Sequence, residues 1–140
     1  MELSKLNKGI FLVNLLAIIY NPKTKKVLIG KREKDPYIKE LSWCFPGGRP
    51  NYRKELGYDL KQIIKIKTGL RIDIRKVIFA RTYPEKREFL SIYYLVEPSG
   101  GKERPGKDMK ELKWINPTEV KKYFTTSLHP PVLEFLKSLS

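Results

Sequence analysis

Cysteine and histidine are nearly missing from this 140-residue chain, which has Cys44 and His129 and no others. A lone cysteine cannot close an internal disulfide, and the two residues cannot furnish a four-ligand zinc site, so Cys/His metal chemistry has almost no basis here. A reducing, cytoplasmic setting is expected. Long hydrophobic runs are scarce too: the longest extends from Ile10 to Tyr20, is interrupted by Asn14, and falls well short of the ~20 apolar residues a membrane helix needs. Asn21-Pro22-Lys23 follows it where a secretory signal needs a small-residue cleavage site, so the run reads as a buried strand and no membrane partner is expected. Acidic residues are in short supply, with 15 Asp+Glu against 29 Lys+Arg for a formal charge of +14. That balance favours anionic partners such as nucleotides, RNA, DNA or acidic lipid heads, and is equally met by a solvated, lysine-rich surface. Repeats and low-complexity tracts are absent, which argues against disordered and fibrous chains. With 41% hydrophobic residues, the chain should fold as one domain over residues 1–140 around a real core.

The apolar run Ile10–Tyr20, the turn residues Asn21-Pro22-Lys23-Thr24 and the short run Val27-Leu28-Ile29 predict a hairpin whose first strand is covered on both faces. A charged loop from Lys31 to Glu40 leads to a short strand, Trp43-Cys44-Phe45, stopped by Pro46-Gly47-Gly48. Between Glu55 and Lys67, the residues Leu56, Leu60, Ile63 and Ile64 recur with helical spacing, and Gly69 marks a C-terminal stop. Strands are expected at Arg71–Tyr83, Glu88–Val96 and Leu112–Ile115, with a flexible Gly-rich loop from Ser99 to Asp108. Asn116-Pro117-Thr118-Glu119 opens a short helix, and Pro130 to Leu139 forms a terminal helix with Val132, Leu133 and Leu136 inward. Interleaved strands and helices make an α/β (α+β) layered domain.

The segment from Trp43-Cys44-Phe45-Pro46-Gly47-Gly48-Arg49 through the helix to Thr68-Gly69-Leu70 resembles the signature of the Nudix hydrolases. That signature is a glycine, five residues, a glutamate, seven residues, Arg-Glu, an aliphatic, one residue, Glu-Glu, one residue, a glycine and an aliphatic. With its first glycine at Gly48, the frame reaches Gly69-Leu70 without insertion or deletion. The likeness extends over about residues 8 to 124, including Val27-Leu28-Ile29-Gly30-Lys31-Arg32 and Trp114-Ile115-Asn116-Pro117-Thr118-Glu119-Val120. It implies an α/β/α layered sandwich with a mixed β-sheet.

The resemblance also implies glutamates that hold Mg²⁺ or Mn²⁺ around a diphosphate, and here the chain departs from it. Lys54 stands at the first glutamate, Gln62 and Ile63 at the Arg-Glu pair, and Ile66 and Lys67 at the Glu-Glu pair. Isoleucine and lysine cannot act as hard oxygen ligands. The box is therefore degenerate, no catalytic residue carries over, and no metal is expected. Ile63, Ile66 and Lys67 share one helix face with Asp59. That face is either ordinary apolar packing with Lys67 reaching out to solvent, or a site where the ammonium groups of Lys54 and Lys67 meet phosphate oxygens in place of a cation.

Arg32 and Arg49 are further candidates to fork onto phosphate, and each is equally suited to pairing with an acid. Of the aromatics Trp43, Tyr52, Tyr83 and Tyr94, only Tyr52, in a loop, is a natural base-stacking candidate; Cys44 reads as a small core residue. The acids within sequence reach of the cleft are Glu33, Asp35, Glu40, Glu55, Asp59, Glu85 and Glu88. The expectation is a catalytically silent domain that binds a nucleotide, diphosphate or RNA through Arg32, Arg49, Tyr52, Lys54 and Lys67. The alternative is a Mg²⁺-dependent pyrophosphohydrolase working through displaced carboxylates, Glu55 and Asp59 first among them. A third reading is a basic structural subunit of an RNA–protein assembly.

Overall fold

A computed structural model of the protein describes residues 8–33 and 42–140. The apolar run becomes strand β1 (Leu12–Asn21), which turns back into β2 (Lys26–Arg32) in antiparallel register, Ile19 opposite Leu28 and Asn21 opposite Lys26. The two strands pair only at that end. Beyond it they separate, and two short strands fill the gap: β3 (Trp43–Cys44) against β2, and β4 (Gly47–Gly48) against β1 at Leu15 and Leu16. The other edge of β1 pairs in parallel with β6 (Lys86–Gly101), from Leu12 opposite Phe89 to Ile19 opposite Val96. Antiparallel β5 (Leu70–Tyr83) lies outside β6, and β7 (Met109–Ile115) lies along the free edge of β2. This is a mixed sheet.

Helices cover both faces of it. Helix α1 (Leu56–Thr68) packs Leu60 and Ile64 against Leu15, Ala17 and Ile19, the odd-numbered side of β1. The even-numbered side, with Ile18, faces a second core built with Val132 and Leu136 of α3 (Pro130–Leu139) and Val120 at the start of α2 (Val120–Tyr123). Burial on both faces explains why β1 reads as an unbroken apolar run, and each fully buried Leu or Ile contributes about 1.5–3 kcal/mol. Asn116 caps the 3₁₀ turn Pro117–Glu119, its side chain accepting from the Thr118 N–H at 3.1 Å. The α/β/α layering and mixed sheet agree with the sequence reading.

One expectation fails. The segment from Ser99 to Asp108 is not a loose loop: Ser99 to Gly101 extend β6, and the following residues cap the end of α1. The N–H groups of Arg104 and Gly106 donate to the carbonyls of Thr68 and Lys67 at 2.9 and 2.8 Å. A helix leaves its last carbonyls without intrahelical partners, and this segment supplies them.

Candidate functional site

Because alternate residues of a strand share a face, Leu12, Asn14 and Leu16 of β1 lie beside Phe89, Ser91 and Tyr93 of β6 on the side away from α1. These two rows form the floor of a cavity of about 180 Å³. Phe45 and Tyr83 stand at its walls, and Phe124, Thr126, Ser127 and Leu128, between α2 and α3, contribute its roof. Where β1 and β2 separate, Gly47, Gly48, Arg32, Arg49 and Lys67 complete its lining. None of the described lining residues is acidic.

The roof is fastened through Ser127. Buried Arg81 donates to its carbonyl and hydroxyl at 3.3 and 3.2 Å, and the Glu85 carboxylate accepts from its N–H and hydroxyl at 2.8 and 2.9 Å. Slight burial acts to raise the Glu85 pKa, but the hydrogen bonds from Ser127 and the charge of Arg81 outweigh it and hold the carboxyl below its ordinary value. On the floor, burial pushes the Tyr93 hydroxyl far above the usual tyrosine range, so it stays protonated.

Lys67, in the last turn of α1, reaches the cavity lining and donates from Nζ to the Gly47 carbonyl at 2.6 Å. Glycine is required at position 47 because a Cβ there would overlap the Leu15 carbonyl of the adjacent strand. Burial, followed by the nearby charge of Arg32, lowers the Lys67 pKa below the ordinary lysine value. The ammonium is thus fixed at the cavity rather than extended into solvent. Its neighbours on the same helix face divide: Ile63 is half-buried against Gly48, whereas Ile66 is 56% exposed and packs into no core.

The remaining sequence candidates are dispersed. Tyr52 is 93% exposed, and Lys54 lies over the Tyr58 ring at 5.5 Å; both belong to the turn before α1, away from the cavity lining. Glu55 is exposed at the helix N-cap. Asp59 is buried, and its carboxylate accepts from the Asn51 N–H at 2.7 Å, bracing that turn. Glu88 pairs with Lys86 at 3.5 Å, and exposed Glu33 is not part of the lining. Asp35 and Glu40 lie outside the described residues. Cys44 is half-buried and lines the cavity instead of filling the core.

A divalent cation does not fit this donor set. Among the described residues no three of His, Cys, Asp or Glu converge to hold a metal ion. At the helix positions that would carry carboxylates, an isoleucine packs on Gly48 and an ammonium occupies the Gly47 carbonyl. Two lysines or an isoleucine cannot replace hard anionic oxygen ligands.

The floor residues Asn14 and Ser91 escaped the sequence reading. Asn14 registered there only as an interruption of an apolar run. Its signal was the two-residue period, since Leu12, Asn14 and Leu16 fall on one strand face, but only the parallel register with β6 sets Ser91 beside it.

The family model for the NUDIX domain matches residues 11–136. No curated protein matches the chain in sequence. Among solved structures, a NUDIX hydrolase from Nitrosomonas europaea superposes with a TM-score of 0.75 at 17% identity, covering 94% of this chain and 73% of that one. A MutT protein from Methanosarcina mazei Go1 gives 0.69 at 16% identity, with 94% of each chain covered. An ADP-ribose pyrophosphatase from Streptococcus suis gives 0.67 at 15% identity, with 90% of each covered. At these identities the likeness is one of fold. No helix among the described residues is long and apolar enough to cross a membrane.

Proposed function

Since the chain belongs to the Nudix family, we propose that it is a member that binds a diphosphate-bearing ligand with its own cations and does not hydrolyse it. The observation that carries this reading is the Lys67 ammonium, held 2.6 Å from the Gly47 carbonyl in the lining of a cavity that Arg32 and Arg49 also line. Diphosphate oxygens need positive charge beside them, which a divalent ion or a cluster of lysine and arginine side chains can supply. Here the second source is present, and among the described residues the carboxylates for the first do not converge. Arg32 and Arg49 offer planar forks for phosphate oxygens, and Lys67 acts as a compact point charge. Activating a water for attack on phosphorus takes a metal-bound hydroxide or a well-placed base, and no described lining residue is a carboxylate or histidine. Nucleotide-type ligands are further supported by the structural relatives, which include an ADP-ribose pyrophosphatase.

Calorimetric titration with ADP in EDTA and in Mg²⁺, paired with a hydrolysis screen over ADP-ribose and nucleoside triphosphates, tests the reading. Binding should persist in EDTA without product release. Lys67→Glu should weaken it by more than the ~0.5–1 kcal/mol expected for a remote exposed charge, with Lys121→Glu as the control. Binding that requires Mg²⁺, or turnover that Glu55→Gln or Asp59→Asn abolishes in a folded protein, would show a metal-dependent hydrolase instead. Equal losses from the two lysine reversals would mean that only net charge matters.

A further inference from the structure

Two tyrosines lie open to solvent at the start of α1. Tyr52 is 93% exposed and Tyr58 52%, and both line one open depression with Arg53, Lys54 and Glu55, outside the cavity. A single exposed aromatic is ordinary, whereas two rings sharing one depression mark a contact surface. Each ring has a cation over it, the Arg53 guanidinium 5.9 Å from the Tyr52 centroid and the Lys54 ammonium 5.5 Å from that of Tyr58. The turn that presents them is fixed. The Asn51 side chain accepts the Arg53 N–H at 3.0 Å, its carbonyl accepts the Lys54 N–H at 3.1 Å, and its own N–H donates to the buried Asp59 carboxylate at 2.7 Å. The backbone under the rings is thus already ordered, which lowers the entropy lost when a ligand uses them.

Tyr58, Lys61 and Lys65 follow at i, i+3 and i+7 along α1, and all three are exposed. That spacing puts them on one stripe, which Lys54 extends through its contact with Tyr58. A solvated helix face commonly interleaves acids with lysines. Here Asp59 is buried and engaged, which leaves exposed Glu55 against Arg53, Lys54, Lys61 and Lys65. Flat rings at one end of a row of cations match a chain that alternates bases with phosphates, since every base has a π-face to stack. A duplex hides those faces, and an acidic peptide would leave the rings unused. A bilayer surface needs apolar side chains at the centre of the contact, but exposed Ile66 is turned about 100° round the helix from Lys65.

We infer that this stripe is a docking surface for single-stranded nucleic acid, with Tyr52 and Tyr58 stacking on bases and Arg53, Lys54, Lys61 and Lys65 meeting phosphates. The 13 residues of α1 extend about 20 Å, the length of about six stacked nucleotides. The surface is separate from the cavity and stands independently of the phosphate-binding reading given above.

Fluorescence anisotropy with a short labelled oligouridine, read at two salt concentrations, tests it. Tyr52→Ala and Tyr58→Ala should each weaken binding about tenfold and leave its salt dependence unchanged, because stacking is lost and no charge is. Lys61→Glu with Lys65→Glu should weaken binding and flatten the salt dependence. Lys121→Glu with Lys122→Glu makes the same change of charge across the sheet and should have the smaller effect. Oligodeoxythymidine should bind like oligouridine, since neither ring faces nor ammonium groups read the 2′-hydroxyl. ADP binding should be the same in both tyrosine variants as in the unaltered protein, which separates this surface from the cavity. Tyr52→Ala should keep its melting temperature, the side chain being almost wholly in solvent, and it stays informative if the other variants fold poorly. Unaltered oligouridine affinity in both tyrosine variants, or equal losses from the two double reversals, overturns the proposal. So does tyrosine-dependent binding to phosphatidylserine vesicles without binding to the oligonucleotide.

Discussion

A lysine held against a backbone carbonyl and partly withdrawn from water titrates differently from one on the surface, and Lys67 is of this kind. Its folded pKa lies below its ordinary value, 10.5, so between the two the folded state carries fewer protons than the unfolded state. Unfolding free energy then rises with pH through that interval: the cost of burying the ammonium is present below the lowered pKa and relieved above it. Ligand binding runs in the opposite direction, because phosphate oxygens need the ammonium charged. Affinity for ADP should be full at neutral pH and decline as pH climbs through the lowered Lys67 value, short of the point where surface lysines discharge. In Lys67→Arg the decline should vanish, since guanidinium stays charged throughout. A titration series between neutral pH and pH ~10 reads both curves. Lys67 was legible in the sequence because the spacing from Gly48 to Gly69 fixes its place on a helix. The place of Lys54 was not legible in the same way: it sits in a turn whose path depends on the buried Asp59 carboxylate and the Asn51 N–H.

At the scale of elements, the end of α1 decides where that ammonium sits. Gly69 terminates the helix in the left-handed region, φ 79°, its N–H donating to the Lys65 carbonyl at 2.9 Å, and a Cβ there would overlap the Lys102 carbonyl. Gly69→Ala should therefore cost at least about 1–2 kcal/mol from the backbone alone, measured by urea denaturation. The loss should exceed that figure if the capping segment is pushed off the Thr68 and Lys67 carbonyls. The helix and its glycine stop were readable from spacing, as was the terminal helix Pro130–Leu139. The capping role of residues 102–107 was not. Glycine-rich composition says that a segment can turn; the unpaired carbonyls that receive it are far back in the chain. Likewise β6 runs on to Gly101 because its partner β5 begins at Leu70, a pairing that neither strand's composition announces.

Across the whole molecule, +14 of formal charge predicts a weaker, non-specific affinity for polyanions. Exposed ion pairs such as Arg75–Glu97 and Lys122–Glu119 neutralise little of it. Polyphosphate or RNA should bind at low ionic strength with an affinity that falls steeply as salt rises, because each neutralised phosphate releases counterions. Fluorescence titrations at two salt concentrations measure the slope, and no binding at low salt would leave the charge a matter of solubility alone. The layered architecture was legible because turns, helical periods and motif frame agreed; the strand order was not, since it depends on long-range pairing. That pairing also governs how the protein comes into being. β1 is the most apolar strand, yet it meets β2 only at Ile19–Asn21 and β4 only at Leu15 and Leu16; its full-length partner is β6. In synthesis β1 is made early and gains that partner only once Phe89–Val96 emerge. Contacts so distant in sequence slow folding, so refolding should be slower than that of a domain of this size built from local contacts. A fragment ending before β6 lacks Phe89, Ser91 and Tyr93 of the cavity lining, so such a fragment should show no binding there.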